Sequence, residues 1–116
     1  MGDAAEAEAL THLQRAGLRL VTRNYRTPGR GGGEIDLVMR EADSTLVFVE
    51  VRHRSGGAHG GAGASISALK QRRIVFAARH YLMRLGTEPP CRFDVVLIDA
   101  GTDPRITWLK AAFDAG

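Results

Sequence analysis

Apolar residues in this chain recur every second position in some stretches and every third or fourth in others, and the changes of period mark its elements. From Asp3 to Ala16 the period is helical, with Leu10 and Leu13 on one side. Asp3 with Glu6 three places on has the form of a capping box, and Gly17 supplies the left-handed stop. Leu18 to Tyr25 then reads as a strand, set between Gly17 and the turn-prone run from Thr27 to Gly33. Glu34 to Arg40 alternates, which puts Ile35, Leu37 and Met39 on one side and Glu34, Asp36 and Val38 on the other. Thr45 to Arg54 carries Val47, Val49 and Val51 on one face and Leu46, Phe48, Glu50 and Arg52 on the opposite one. The polar loop Glu41, Ala42, Asp43 and Ser44 makes these two strands a hairpin.

Beyond a glycine-rich stretch from Ser55 to Ala64 the period lengthens, and Ser65 to Leu85 predicts a long helix capped by Ser65 or Ser67 and closed by Gly86. Its core stripe is Ile74, Ala77, Ala78, Tyr81, Leu82 and Leu85. After Pro89 and Pro90, Cys91 to Ile98 predicts a strand, Asp99 to Pro104 a turn, and Ile106 to Leu109 a short last strand. The fold class is therefore α/β (α+β), a mixed sheet flanked by helices, read as one domain over residues 1–116. The passage from the third strand through the long helix to Cys91 should be a right-handed parallel crossover.

Composition narrows the function classes. A hydrophobic share of 44% is enough for one core. No apolar run approaches the ~18 residues of a membrane span, and the start lacks the cationic and apolar regions of a signal peptide. No membrane is expected, and the cytoplasm is the expected compartment. Cys91 is the single cysteine, so an internal disulfide is excluded, and no Cys/His spacing matches a zinc site. The net charge is +3, and every basic residue except Lys70 and Lys110 is Arg, whose planar fork suits phosphate. A GC-rich coding bias gives the same composition, so charge permits a nucleic-acid partner without demanding one.

The hairpin carries the chemistry. With the loop centred on Asp43, Arg40 faces Leu46, Val38 faces Phe48, Asp36 faces Glu50 and Glu34 faces Arg52. Two carboxylates ~5 Å apart repel by roughly 3 kcal/mol at an effective dielectric near 20. A cation, a shared proton or open solvent must relieve that. Mg²⁺ takes one or two carboxylates plus water and phosphate, which suits such a pair. Glu50 also interrupts the apolar run Val47-Phe48-Val49-Glu50-Val51, where an unpaired charge is costly. As a plain alternative, Glu34 opposite Arg52 is an ordinary cross-strand ion pair. Lys70 and Gln71 extend the core stripe of the long helix towards the same end of the sheet. Gly29, Gly31, Gly32 and Gly33 precede a strand rather than a helix, and no Lys follows Gly63, so neither run is a nucleotide fingerprint. Trp108 and Phe113 read as core.

The strings Gly33-Glu34-Ile35-Asp36-Leu37, Phe48-Val49-Glu50-Val51-Arg52-His53-Arg54, Lys70-Gln71-Arg72-Arg73 and Arg92-Phe93-Asp94 resemble the YraN-type bacterial family. Glu6, Ala9, Leu13 and Gly17, and then Asn24-Tyr25-Arg26, extend the resemblance over nearly the whole chain. That family is similar to the archaeal Holliday-junction resolvases and the wider PD-(D/E)XK nuclease superfamily. The resemblance implies a restriction-endonuclease-like αβββαβ core. It implies Asp36 and Glu50 as ligands of Mg²⁺ or Mn²⁺, with Glu6 helping to hold metal or water. Arg52 stands where the superfamily has its catalytic Lys, and Lys70 matches a helix lysine of the family. The implied function is a metal-dependent endonuclease hydrolysing phosphodiesters of DNA, branched DNA included. Because Arg cannot accept a proton, a non-catalytic nucleic-acid-binding module is the alternative. The expected partner is DNA, with homodimerisation left open.

Overall fold

The computed structural model describes residues 3–54, 66–99 and 105–115. Helix α1 (Asp3–Arg15) is followed by strands β1 (Arg19–Arg26), β2 (Glu34–Arg40) and β3 (Leu46–Arg54). Helix α2 (Ala68–Leu85) then leads to β4 (Cys91–Asp99) and β5 (Arg105–Phe113). The strands form one sheet in sequence order. Its neighbours are antiparallel except β3 and β4, which run parallel because α2 carries the chain back between them. The expected αβββαβ order is the observed one, with β5 added at the edge.

The helices cover opposite faces of the sheet. Ala5, Ala9 and Leu13 of α1 pack with Leu37, Met39, Val47, Val49 and Val96. Small residues at positions 5 and 9 allow the helix axis to lie close to the sheet. Ile74, Val75, Ala77 and Ala78 of α2 pack with Ile35, Val38, Leu46, Phe48 and Phe93. Phe48 stacks on Phe93 and Phe93 on Phe113, at centroid separations of 5.5 and 5.1 Å. Gly17 (φ 104°) ends α1 as expected, and Gly86 (φ 84°) ends α2 by donating its N–H to the Leu82 carbonyl.

Four expectations change. Helix α2 begins at Ala68, where the Ser67 Oγ accepts the Lys70 N–H at 3.1 Å. Leu85 is 39% exposed and does not continue the core stripe. Strand β5 runs to Phe113 rather than Leu109. No local pattern signals Lys110 to Phe113; the Ala111 N–H is held at 2.9 Å by the buried Asp94 carboxylate from the next strand. Ile35 packs on the α2 side with Val38, whereas Leu37 and Met39 face α1, so the alternation of β2 is interrupted at Asp36. On β1, Asn24 lies between the pairs Arg23↔Leu37 and Tyr25↔Ile35 and has φ 52°. The Asp3 side-chain cap, Ser65, the Ser55 to Ala64 stretch and the turn over 100–104 lie outside the described residues.

Candidate metal and phosphate site

The hairpin register places the central pair. Arg40↔Leu46, Val38↔Phe48 and Leu37↔Val49 are partners, which makes Asp36 and Glu50 the next residues along. The turn is fixed by the Asp43 Oδ1, which accepts the Thr45 N–H at 3.0 Å, and by Ser44 at φ 75°. At Asp36 the side chain takes over from the backbone, its Oδ2 accepting the Val51 N–H at 2.8 Å. Glu34 lies 3.5 Å from Arg26, with which it forms an ion pair across to β1.

Glu50 is 7% exposed, and Lys70 reaches it from the first turn of α2 with Nζ 3.6 Å from Oε2. Burial, then the neighbouring Asp36 charge, push the Glu50 carboxyl up to about 7, against the pull of Lys70. Burial also raises Asp36, but its hydrogen bonds from Val51 and Glu50 favour the ionised form. The two carboxyls therefore titrate as a pair. Below about pH 7 Glu50 holds the proton of the pair, with the Lys70 ammonium beside it.

The other expected residues divide. Arg52 is half-buried, on the same face of β3 as Glu50, in backbone register with Leu97. Glu6 is nearly buried on α1, 4.0 Å from Arg23 and within 3.2 Å of the Asn24 side-chain amide once that amide is turned to donate. Among the described residues no three His, Cys, Asp or Glu side chains converge on a metal-sized point, so Glu6 does not complete a three-carboxylate cage. Gln71 turns away and donates to the Ile66 carbonyl at 2.9 Å. One buried carboxylate was visible in the sequence only inside the Arg92-Phe93-Asp94 string. Asp94 is fully buried and accepts from Arg92 Nε, Trp108 Nε1 and Ala111 N–H at 3.0, 2.9 and 2.9 Å. An Asp inside an apolar strand was its signal, the same one that marks Glu50. Its acceptor capacity is committed to internal donors, so it fastens β5 to β4.

The family described as "Uncharacterised protein family UPF0102" matches residues 5–98. The chain is 70% identical over 114 residues to a UPF0102 protein of Albidiferax ferrireducens, covering 98% of this chain and 87% of the relative. This chain belongs to the UPF0102 family. A UPF0102 protein of Paracidovorax citrulli is 68% identical over 115 residues, 99% of this chain and 83% of the relative. One from Methylibium petroleiphilum is 60% identical over 118 residues, 99% of this chain and 94% of the relative. The resemblance to the YraN-type family read from the motifs is this same family.

The two carboxyls of the UPF0102 chain are of the oxygen-donor type that hard divalent cations take. Two oxygen ligands, adjacent, shielded from water and mutually repelling, match the one or two carboxylates with which Mg²⁺ is commonly bound. Among the described residues no third acidic side chain joins the pair. No helix among the described residues is long and apolar enough to cross a membrane.

Proposed function

We propose that this UPF0102 protein is a divalent-metal-dependent, endonuclease-like phosphodiesterase acting on DNA, branched DNA included. One observation carries the reading: Asp36 and Glu50 lie side by side at the splayed end of a hairpin, with the Lys70 ammonium 3.6 Å from Glu50. A proton-sharing carboxylate pair with a cation beside it is an expensive arrangement in a sheet, and it is the kind of preorganised polarity a reacting phosphate needs. Asp36 and Glu50 would hold Mg²⁺ or Mn²⁺, which when bound stabilises charge on phosphate oxygens. The Val51 N–H favours the ionised form of Asp36 against the effect of burial, and Asp36 would act as a ligand in that form. Glu50 would hold a cation as the carboxylate, so metal affinity would rise with pH. Lys70, 42% exposed, would be able to meet a phosphate oxygen. Arg52 grips phosphate without exchanging a proton.

The deciding experiment is a cleavage panel of single-stranded, duplex and four-way DNA with Mg²⁺ or Mn²⁺, with Asp36→Asn as control. Metal-dependent cleavage lost in the variant supports the proposal. A second reading has its own observation: Lys70 already neutralises the pair without any metal, as in a binding module that has lost its chemistry. Inert wild type that still binds DNA, with no Mn²⁺-induced rise in melting temperature, favours that module.

A further inference from the structure

Next to the carboxylate pair, on the far side of Lys70, lies a cleft of about 480 Å³. Its charged rim is Arg26, Lys70 and Arg73, with Glu34 as the one acidic residue, 3.5 Å from Arg26. Its other wall is the glycine turn between β1 and β2, with Gly29, Gly31, Gly32 and Gly33 facing the space. The turn has a fixed shape. Thr27 and Gly33 close it through the Thr27 N–H to the Gly33 carbonyl at 3.0 Å and the Gly33 N–H to the Thr27 Oγ1 at 2.7 Å. Glycine is required by packing at two positions. A Cβ on Gly32 would overlap the Thr27 Oγ1, and one on Gly33 would overlap the Arg73 carbonyl. Gly29 and Gly31 sit at φ 85° and 69°.

We infer that this cleft is a second phosphate site, distinct from the carboxylate pair, for a phosphate group adjoining the one that the pair engages. Three cationic side chains converge on a wall stripped of side chains, and that combination admits a tetrahedral anion close to main chain while excluding bulk. Lys70 belongs to both places, which sets the two phosphates next to each other along one strand. Arg26, held by Glu34, is the rim group that a bound phosphate would recruit. The source of the phosphate, a polynucleotide backbone, rests on the proposed function; the phosphate chemistry of the cleft does not.

Oligonucleotide binding by fluorescence anisotropy across a salt series, without divalent metal, tests the site. Wild type is compared with Arg73→Gln, Arg26→Gln and Arg72→Gln, the last an exposed neighbour outside the cleft. Removing one phosphate contact should lower the slope of log affinity against log salt by about 1. The expected result is that loss for Arg73→Gln and Arg26→Gln and none for Arg72→Gln. Equal losses for all three would mean diffuse charge and overturn the site. Thermal shift with inorganic pyrophosphate separates the two claims. A pyrophosphate shift that Arg73→Gln abolishes, in a protein that ignores oligonucleotides, upholds the cleft and sinks the nucleic-acid reading. No response to either probe overturns the cleft itself.

Discussion

Replacing Glu50 with Gln should make the metal-free protein more stable at pH 8 and leave it unchanged near pH 4. The Glu50 carboxyl ordinarily titrates at 4.5 and is raised to about 7 in the fold. The folded state therefore holds a proton that the unfolded chain has released between those values. That contribution to stability is complete below about 4.5 and is lost as pH rises through about 7. The difference corresponds to about 3 kcal/mol at pH 8, since one pKa unit is worth about 1.4 kcal/mol. Gln keeps the shape and a donor for Asp36 without a charge to bury. The raised value is already net of the pull of Lys70, so the gain is the full ~3 kcal/mol, or roughly 12 °C in melting temperature for a domain of this size. Urea unfolding followed by circular dichroism in EDTA at pH 4 and pH 8 measures it. If the variant is less stable than wild type at pH 8, Glu50 is a structural partner of Lys70 and the strained-pair argument fails.

Three further outcomes are expected. Asp94→Asn should lower stability by ~3–5 kcal/mol, because it leaves Arg92 and Trp108 facing an amide in a buried site; Trp108 fluorescence during urea unfolding reports it. Gly33→Ala should cost about 1–3 kcal/mol as the new methyl forces α2 away at Arg73, read from the shift of its unfolding midpoint. In metal-dependent cleavage, Arg52→Lys should raise the rate and Arg52→Ala reduce it if Arg52 acts at the phosphate. If Lys70 is the acting cation, Lys70→Ala abolishes cleavage and Arg52→Lys changes little.

Periodicity resolved what local pattern controls. The bounds of β2, the hairpin register from Arg40↔Leu46 to Val38↔Phe48, and the parallel return to Cys91 were all legible, because alternation and turn chemistry act between near neighbours. The second half of β5 was not, since its anchor is a carboxylate seventeen residues earlier in the chain. The face of Ile35 was misplaced because the alternation of β2 breaks at Asp36, which a strict period of two does not anticipate. At the site, the opposition of Asp36 and Glu50 followed from register. The Glu34–Arg26 pair did not, as it depends on how β1 lies against β2. The glycines after Thr27 were discounted as a fingerprint because they precede a strand, yet Gly33 is required by the approach of Arg73 on a helix distant in sequence.

The hydrogen bond from the Val51 N–H to Asp36 gives one oxygen two duties. Along most of a hairpin the main chain ties the strands and side chains are free to vary, but at this end the tie is itself a side chain. A change that deletes the carboxylate also unfastens the mouth of the hairpin and loosens the mounting of Glu50 across from it. Truncation at position 36 would thus mimic a chemical defect through a mechanical one. An amide in its place keeps an acceptor for Val51 while removing the charge. Comparing Asn with Ala at this position therefore measures how far architecture, apart from reactivity, constrains the residue.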